Sequence, residues 1–256
     1  MKTWAVSLAA FALAATAATA EIPEAERRSG YYDMGPSVQA MQDDDAANPG
    51  TLWVLGGETL WDRRQGTAAK SCADCHGAAS GMAGVAARYP AFSTVKGRPI
   101  DLEQRINLCR TDNQGAEPLA YESRELLSLS AFVAKQSRDL PIAPPDDPRL
   151  APFLTAGADL FTRRQGQLNL SCAQCHDDNH GKKLAAATIP QAHPTGYPIY
   201  RLEWQSLGSL KRRLRNCLIG MRAEPYAYGA PEYVDLELYL MSRARGMALE
   251  VPGVRP

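Results

Sequence analysis

The chain has 256 residues, 28 basic and 28 acidic, so its net charge is zero with histidine neutral. That balance excludes bulk attraction to a polyanion and gives no case for nucleic acid. A hydrophobic content of 45% excludes a disordered chain, and the length suits two small domains or one large one.

Residues 1–20, MKTWAVSLAAFALAATAATA, have the form of a secretory signal. Lys2 supplies the positive start, an apolar stretch follows, and Ala18-Thr19-Ala20 is a small-residue cleavage site, so the mature chain is expected to begin at Glu21. The apolar run is short for a bilayer span, and no later segment offers about 18 uninterrupted apolar residues, so no membrane span is expected. Residues 21–50 read as an N-terminal extension suited to packing on a partner; Met41-Gln42-Asp43-Asp44-Asp45 makes it polar and acidic.

From residue 51 the sequence repeats itself. Leu60-Trp61-Asp62-Arg63-Arg64-Gln65-Gly66 corresponds to Leu160-Phe161-Thr162-Arg163-Arg164-Gln165-Gly166, and Ser71-Cys72-Ala73-Asp74-Cys75-His76 to Ser171-Cys172-Ala173-Gln174-Cys175-His176. The offset then grows by eight: Asp101, Arg105 and Cys109 match Ser209, Arg213 and Cys217. Ala116-Glu117-Pro118-Leu119-Ala120-Tyr121 resembles Ala223-Glu224-Pro225-Tyr226-Ala227-Tyr228. Two copies of one domain, at 51–140 and 151–256, are the simplest account. Residues 141–150, with four prolines, read as an extended, fairly stiff linker.

Each copy reads as helical. Apolar residues recur at helical spacing around Trp53, Leu60 and Trp61, and around Phe153, Leu160 and Phe161, with Gly66 and Gly166 as stop signals. Asp101 and Ser209 are good N-caps for helices carrying Leu102, Ile106 and Cys109, or Leu210, Leu214 and Cys217, on one face. Leu126, Leu129 and Val133, then Tyr233, Leu236 and Leu240, mark a closing helix in each copy, the last starting at Pro231 and ending near Gly246. No alternating apolar run supports a sheet, so the expected class is all-α.

The two Cys-x-x-Cys-His motifs carry the chemistry. Thiols three residues apart can form thioethers to two haem vinyl groups, and the following histidine lies under the iron as its proximal ligand. Zinc would need four protein ligands in tetrahedral array, and a thioredoxin-type site would need a sheet. The motifs therefore imply two covalent haem c groups: Cys72, Cys75 and His76 hold one, and Cys172, Cys175 and His176 the other. Such haems are attached in the bacterial periplasm, in agreement with the signal. The expected fold is then two cytochrome c-like domains.

No methionine recurs between the copies, but Cys109 and Cys217 do. Three readings compete for them: thiolate ligands to the two irons, a disulfide joining the copies, or inert buried thiols. The first is favoured because each cysteine sits eight residues past its N-cap on an apolar face. His180 and His193 lie in a polar loop and read as loop residues, with replacement of Cys217 as ligand the alternative. Arg213 precedes Cys217 by one helical turn, where a guanidinium can hold an anion against the sulfur. Lys211, Arg212 and Arg215 make this helix more basic than its counterpart. A solvated face and haem propionates are the competing explanations. The repeated Arg-Arg-Gln-Gly argues for a shared structural task, such as a propionate contact.

These residues resemble the SoxA family, the di-haem subunits of the SoxAX cytochromes of sulfur-oxidising bacteria. The likeness rests on the paired Ser-Cys-Ala-x-Cys-His motifs, the cysteine following each, and Arg213-Leu214-Arg215-Asn216-Cys217 leading to Arg222-Ala223-Glu224-Pro225-Tyr226. The resemblance implies a cytochrome partner, SoxX, and oxidative joining of thiosulfate to a cysteine of the SoxYZ carrier, with electrons passing to a downstream cytochrome c. It further implies that Cys217 ligates the second haem and carries a persulfide, that Arg213 binds substrate, and that the haem under His76 and Cys109 is remote from catalysis. The rival function is a plain electron-transfer di-haem cytochrome; a di-haem peroxidase is a weaker third.

Overall fold

A computed structural model describes residues 22–256; the signal expected at 1–20 lies outside the described residues. An opening helix, α1 (Pro36–Asp43), precedes the first copy. That copy runs α2 (Thr51–Asp62), α3 (Ala73–His76), β1 (Ala91–Ser93), β2 (Arg98–Ile100), α4 (Leu102–Cys109) and α5 (Arg124–Lys135). The second runs α6 (Ala151–Thr162), α7 (Cys172–His176), β3 (Lys183–Leu184), β4 (Ala187–Thr188), β5 (Ile199–Arg201), β6 (Ser206–Gly208), α8 (Leu210–Gly220), α9 (Pro231–Arg243) and β7 (Gly253–Arg255).

The helices lie where the periodicity places them, and their starts are chemically fixed. Asp101 accepts from the Gln104 backbone in a full capping box, and Ser209 accepts from the Arg212 backbone. In each copy the first long helix crosses the last at a glycine. A methyl group at Gly57 would overlap the Ser128 carbonyl, and one at Gly157 the Asp235 carbonyl. Around these crossings lie Trp61, Phe132 and Val133 in one copy, and Leu160, Phe161, Leu236 and Leu240 in the other.

Two expectations need correction. First, the class is not purely α. Antiparallel β1–β2 and β5–β6 precede α4 and α8, β3–β4 forms a hairpin, and β7 adds to β5 in parallel. These strands have two or three residues, too few for an alternating pattern to register. Second, Gly66 and Gly166 do not end helices, which stop at Asp62 and Thr162. Both have φ +69 and sit where a side chain would meet the backbone of Gln114 or Met221. The repeated Arg-Arg-Gln-Gly thus leads into a tight turn, closed by the bridges Gln65–Lys70 and Gln165–Leu170. The extension makes contacts within this chain. Gln42 accepts from the Val254 backbone at 2.9 Å, and Asn48 donates to the Pro252 carbonyl at 2.9 Å. Arg28 donates its backbone N–H to Gln191, and Asp45 pairs with Lys135 and Arg138. The segment thereby ties α5 of the first copy to the loop and last strand of the second.

The proline-rich 141–150 segment is also pinned. Ile142 is fully buried, its N–H donates to the Met247 carbonyl, and Ala143 donates to Ala87. Where the copies meet, repeat-equivalent residues face one another. Glu103 and Lys211 form a 2.8 Å buried ion pair, and Tyr121 stacks on Tyr228 with centroids 6.2 Å apart.

Candidate functional site

In the second copy, Ser171 and Gln174 close a capping box that starts α7 at Cys172. One tight turn then carries both motif cysteines and His176. The His176 Nδ1 lies 2.6 Å from the Pro190 carbonyl oxygen. That contact commits one ring nitrogen and leaves Nε2 for a metal. Burial pushes the imidazole pKa down, so the ring is neutral, the form a metal ligand requires. Burial pushes the Cys172 thiol up to about 12.

Helix α8 supplies the opposing group. Cys217 and His176 line one cavity of about 430 Å³, whose apolar walls include Ile199, Leu214 and Leu240. On its other side Cys217 borders a small apolar space with Cys172 and Tyr233. All six cysteines are free, so Cys109 and Cys217 are not bridged and the disulfide reading falls. Among the described residues no three His, Cys, Asp or Glu side chains converge to hold a bare metal ion. A neutral imidazole and a thiol on one apolar cavity, beside two motif cysteines, fit a haem c. The motif cysteines Cys172 and Cys175 would hold it covalently, and His176 and Cys217 would be available to its iron.

The basic run on α8 divides. Lys211 is buried against Glu103 and Asp101. Arg212 donates to Ser206 and covers Trp204, while Arg215 donates to the Tyr226 carbonyl and covers Tyr228. Only Arg213 of this run lines the cavity, and among the described residues its side chain makes no hydrogen bond or ion pair. Burial works to lower its pKa, but Cys217, Tyr197 and Glu203 outweigh that and raise it. The run is thus neither a solvated face nor four equivalent anion contacts: three members hold the fold and one is available.

The first copy is more open. Ser71 and Asp74 exchange hydrogen bonds at the start of α3, and His76 packs its ring on Trp61 with centroids 5.7 Å apart. Cys75 and His76 are exposed. Cys109 ends α4, where burial raises its thiol pKa against the opposing charge of Arg105. Cys75 is among the groups that act on it, so the motif lies near Cys109.

Of the two remaining histidines, His180 binds the Asp177 carbonyl at 2.8 Å. His193 lines the cavity with Nδ1 tied to the Arg28 carbonyl at 3.0 Å, and burial lowers its pKa to about 4. Sequence reasoning missed the buried pair beside the haem motif, where Arg243 Nη2 meets Asp177 Oδ1 at 2.5 Å. A signal existed: Asp177 replaces Gly77 immediately after the motif histidine. It also missed Tyr197 and Arg201 on the cavity wall.

The family model described as SoxA/TsdA, cytochrome c domain, matches residues 56–142 and again 156–249. The chain belongs to the SoxA/TsdA cytochrome c family. Within it, the L-cysteine S-thiosulfotransferase subunit SoxA of Rhodovulum sulfidophilum is 38% identical over 231 residues, spanning 90% of this chain and 80% of that protein. The subunits of the same name from Pseudaminobacter salicylatoxidans and Paracoccus pantotrophus are 36% and 31% identical, spanning 91% and 89% of this chain and 82% and 78% of theirs. The crystal structure of SoxXA from P. pantotrophus superposes with a TM-score of 0.86 at 31% identity, covering 90% of this chain and 87% of that one. The cytochrome c architecture is therefore shared across nearly the whole described SoxA/TsdA chain.

Proposed function

We propose that this chain is the catalytic subunit of an L-cysteine S-thiosulfotransferase, acting in thiosulfate oxidation. The observation that carries the reading is the unpartnered Arg213 one helical turn from Cys217, on the cavity that His176 also lines. The named relatives support it: each is the SoxA subunit of that enzyme. In this reading residues 1–20 are a removed signal, 21–50 an extension, 51–140 and 151–256 two cytochrome c domains, and 141–150 their linker. The protein acts in the periplasm beside a SoxX cytochrome subunit.

Two haem c groups would be held, one by Cys72 and Cys75 with His76 and Cys109 to its iron, the other by Cys172 and Cys175 with His176 and Cys217 to its iron. When bound, they accept electrons one at a time and pass them to a downstream cytochrome c. The substrates are thiosulfate and a cysteine of the SoxYZ carrier. The carrier thiolate and the outer sulfur of thiosulfate form one sulfur–sulfur bond, and two electrons leave. Cys217, which itself carries a persulfide in this reading, is the sulfur beside which that bond forms, Arg213 offsets the anionic charge, and the apolar walls exclude water. An anionic thiolate stabilises ferric iron and lowers the potential, unlike the methionine ligand of a typical carrier.

Converting Cys217 to Ser should abolish thiosulfate-dependent turnover while both haems stay attached. Normal turnover in that variant would reject the proposal. Mass spectrometry of the haem-bearing C-terminal fragment should find an additional sulfur on Cys217.

A further inference from the structure

The two copies are close enough in structure to be compared position by position around their cysteines. An offset of 108 pairs Tyr89 with Tyr197, Arg105 with Arg213, and Cys109 with Cys217. The hairpins confirm the offset: Ser93 pairs with Arg98 across β1–β2, and Arg201 with Ser206 across β5–β6. Tyrosine, arginine and cysteine are therefore common to both copies and cannot by themselves distinguish the second. Arg201 stands where the first copy has Ser93.

Arg201, Arg213, Tyr197 and Cys217 line the same cavity. Arg201 Nε lies 2.8 Å from Glu203 Oε1 but outside hydrogen-bond geometry, leaving Nε without a hydrogen-bond partner. Burial, and then the charge of Arg213, push its pKa down. The Tyr197 hydroxyl makes no hydrogen bond among the described residues. Arg255, a further cation on this wall, is satisfied by Gln42 and Glu250. Two guanidiniums lining one cavity repel each other, and the one carboxylate acting on both, Glu203, neutralises only one of the two charges. Arg201 has no counterpart in the first copy, so a contact common to both haems does not account for it.

We infer that Arg201 is a second anchor for the substrate's sulfonate end, working with Arg213 and the Tyr197 hydroxyl, and that it makes the second site selective for a dianion. The inference rests on the reading of Cys217 as the transfer site. Three donors suit three sulfonate oxygens, and two cations match the double charge. Glu203 holds Arg201 until the anion arrives.

The experiment uses the assembled complex. Arg201→Ser, which restores the first copy's residue, should raise KM for thiosulfate about tenfold with kcat little changed, the loss of one charge-assisted contact. The potential and ferric spectrum of the second haem should not move. Arg201→Lys should recover part of the loss. Glu203→Gln, which removes the competing carboxylate, should lower KM. In a Cys217→Ser background, equilibrium binding of thiosulfate should weaken about tenfold on adding Arg201→Ser. An unchanged KM and affinity, or a shifted haem potential with KM unchanged, would overturn the inference. Should Arg201→Ser lose its haem, the Lys and Glu203→Gln variants decide alone. Turnover by Cys217→Ser itself would instead sink the underlying reading, so the two failures are told apart.

Discussion

Replacing Lys211 by Met should destabilise the protein more than any surface change, and the deficit should grow with pH. Lys211 Nζ lies 2.9 Å from Asp101 Oδ2, 2.8 Å from Glu103 Oε2 and 3.8 Å from Glu237 Oε2. Its side chain is 3% exposed, and those of its partners 1%, 7% and 16%. Burial opposes the lysine charge, but the three carboxylates outweigh it and hold its pKa well above the ordinary value. Its contribution is therefore complete below the ordinary lysine pKa and is lost only in strong alkali. Burial raises Glu103, and raises Glu237 to about 8. For Glu237 the sign is the same: the stability associated with its protonated form is full below its unfolded pKa of 4.5 and fades as pH rises toward about 8. Removing the cation strands buried carboxylates, at a cost of about 3–5 kcal/mol near neutral pH. Each carboxylate protonated only in the folded state adds a slope of about 1.4 kcal/mol per pH unit. Urea unfolding followed by far-ultraviolet circular dichroism, at acidic, neutral and mildly alkaline pH, should show the deficit shrinking in acid. Adding Glu103→Leu should recover part of it, because a buried ion pair can be exchanged for apolar contact at little cost. A loss below about 1 kcal/mol, the range of an exposed pair, would refute the reasoning, as would one independent of pH.

Gly157→Ala should force α6 away from the Asp235 carbonyl of α9 and cost about 1–3 kcal/mol in chemical denaturation. Gly220→Ala, where an added methyl meets nothing within 4 Å, should instead be neutral or stabilise by up to about 1 kcal/mol. Asp177→Asn removes one charge from the buried Arg243 pair and should lower the unfolding midpoint, through a loss of about 3–5 kcal/mol. Cys109→Ala should alter the spectrum of the first haem and leave thiosulfate turnover near the parent level; loss of turnover would contradict the remote role given to that haem.

What could be read from the chain was whatever depends on a few neighbouring residues. Cys-x-x-Cys-His is one turn of helix, and Asp101 and Ser209 cap their helices through contacts three residues away. The repeat reports two related units by identity alone. The periodicity around Leu126, Leu129 and Val133 marks the helix, although α5 is then buried on every side from Leu126 to Ala134.

The tertiary structure decided everything that joins distant residues. Three-residue strands form because Tyr200 finds Val254 and Leu207 beside it, and no local pattern encodes that partnership. The extension is placed by Val38 and Met41 packing on the cluster of Tyr200 and Val254, and by side-chain amides reaching the Val254 and Pro252 backbone more than two hundred residues away. The basic run on α8 is uniform as written, and only packing commits Lys211, Arg212 and Arg215 to the fold while leaving Arg213 free. Residue identity specifies local geometry and chemical capacity; which charges are neutralised, and which face an enclosed space, follows from a distance that sequence separation does not contain.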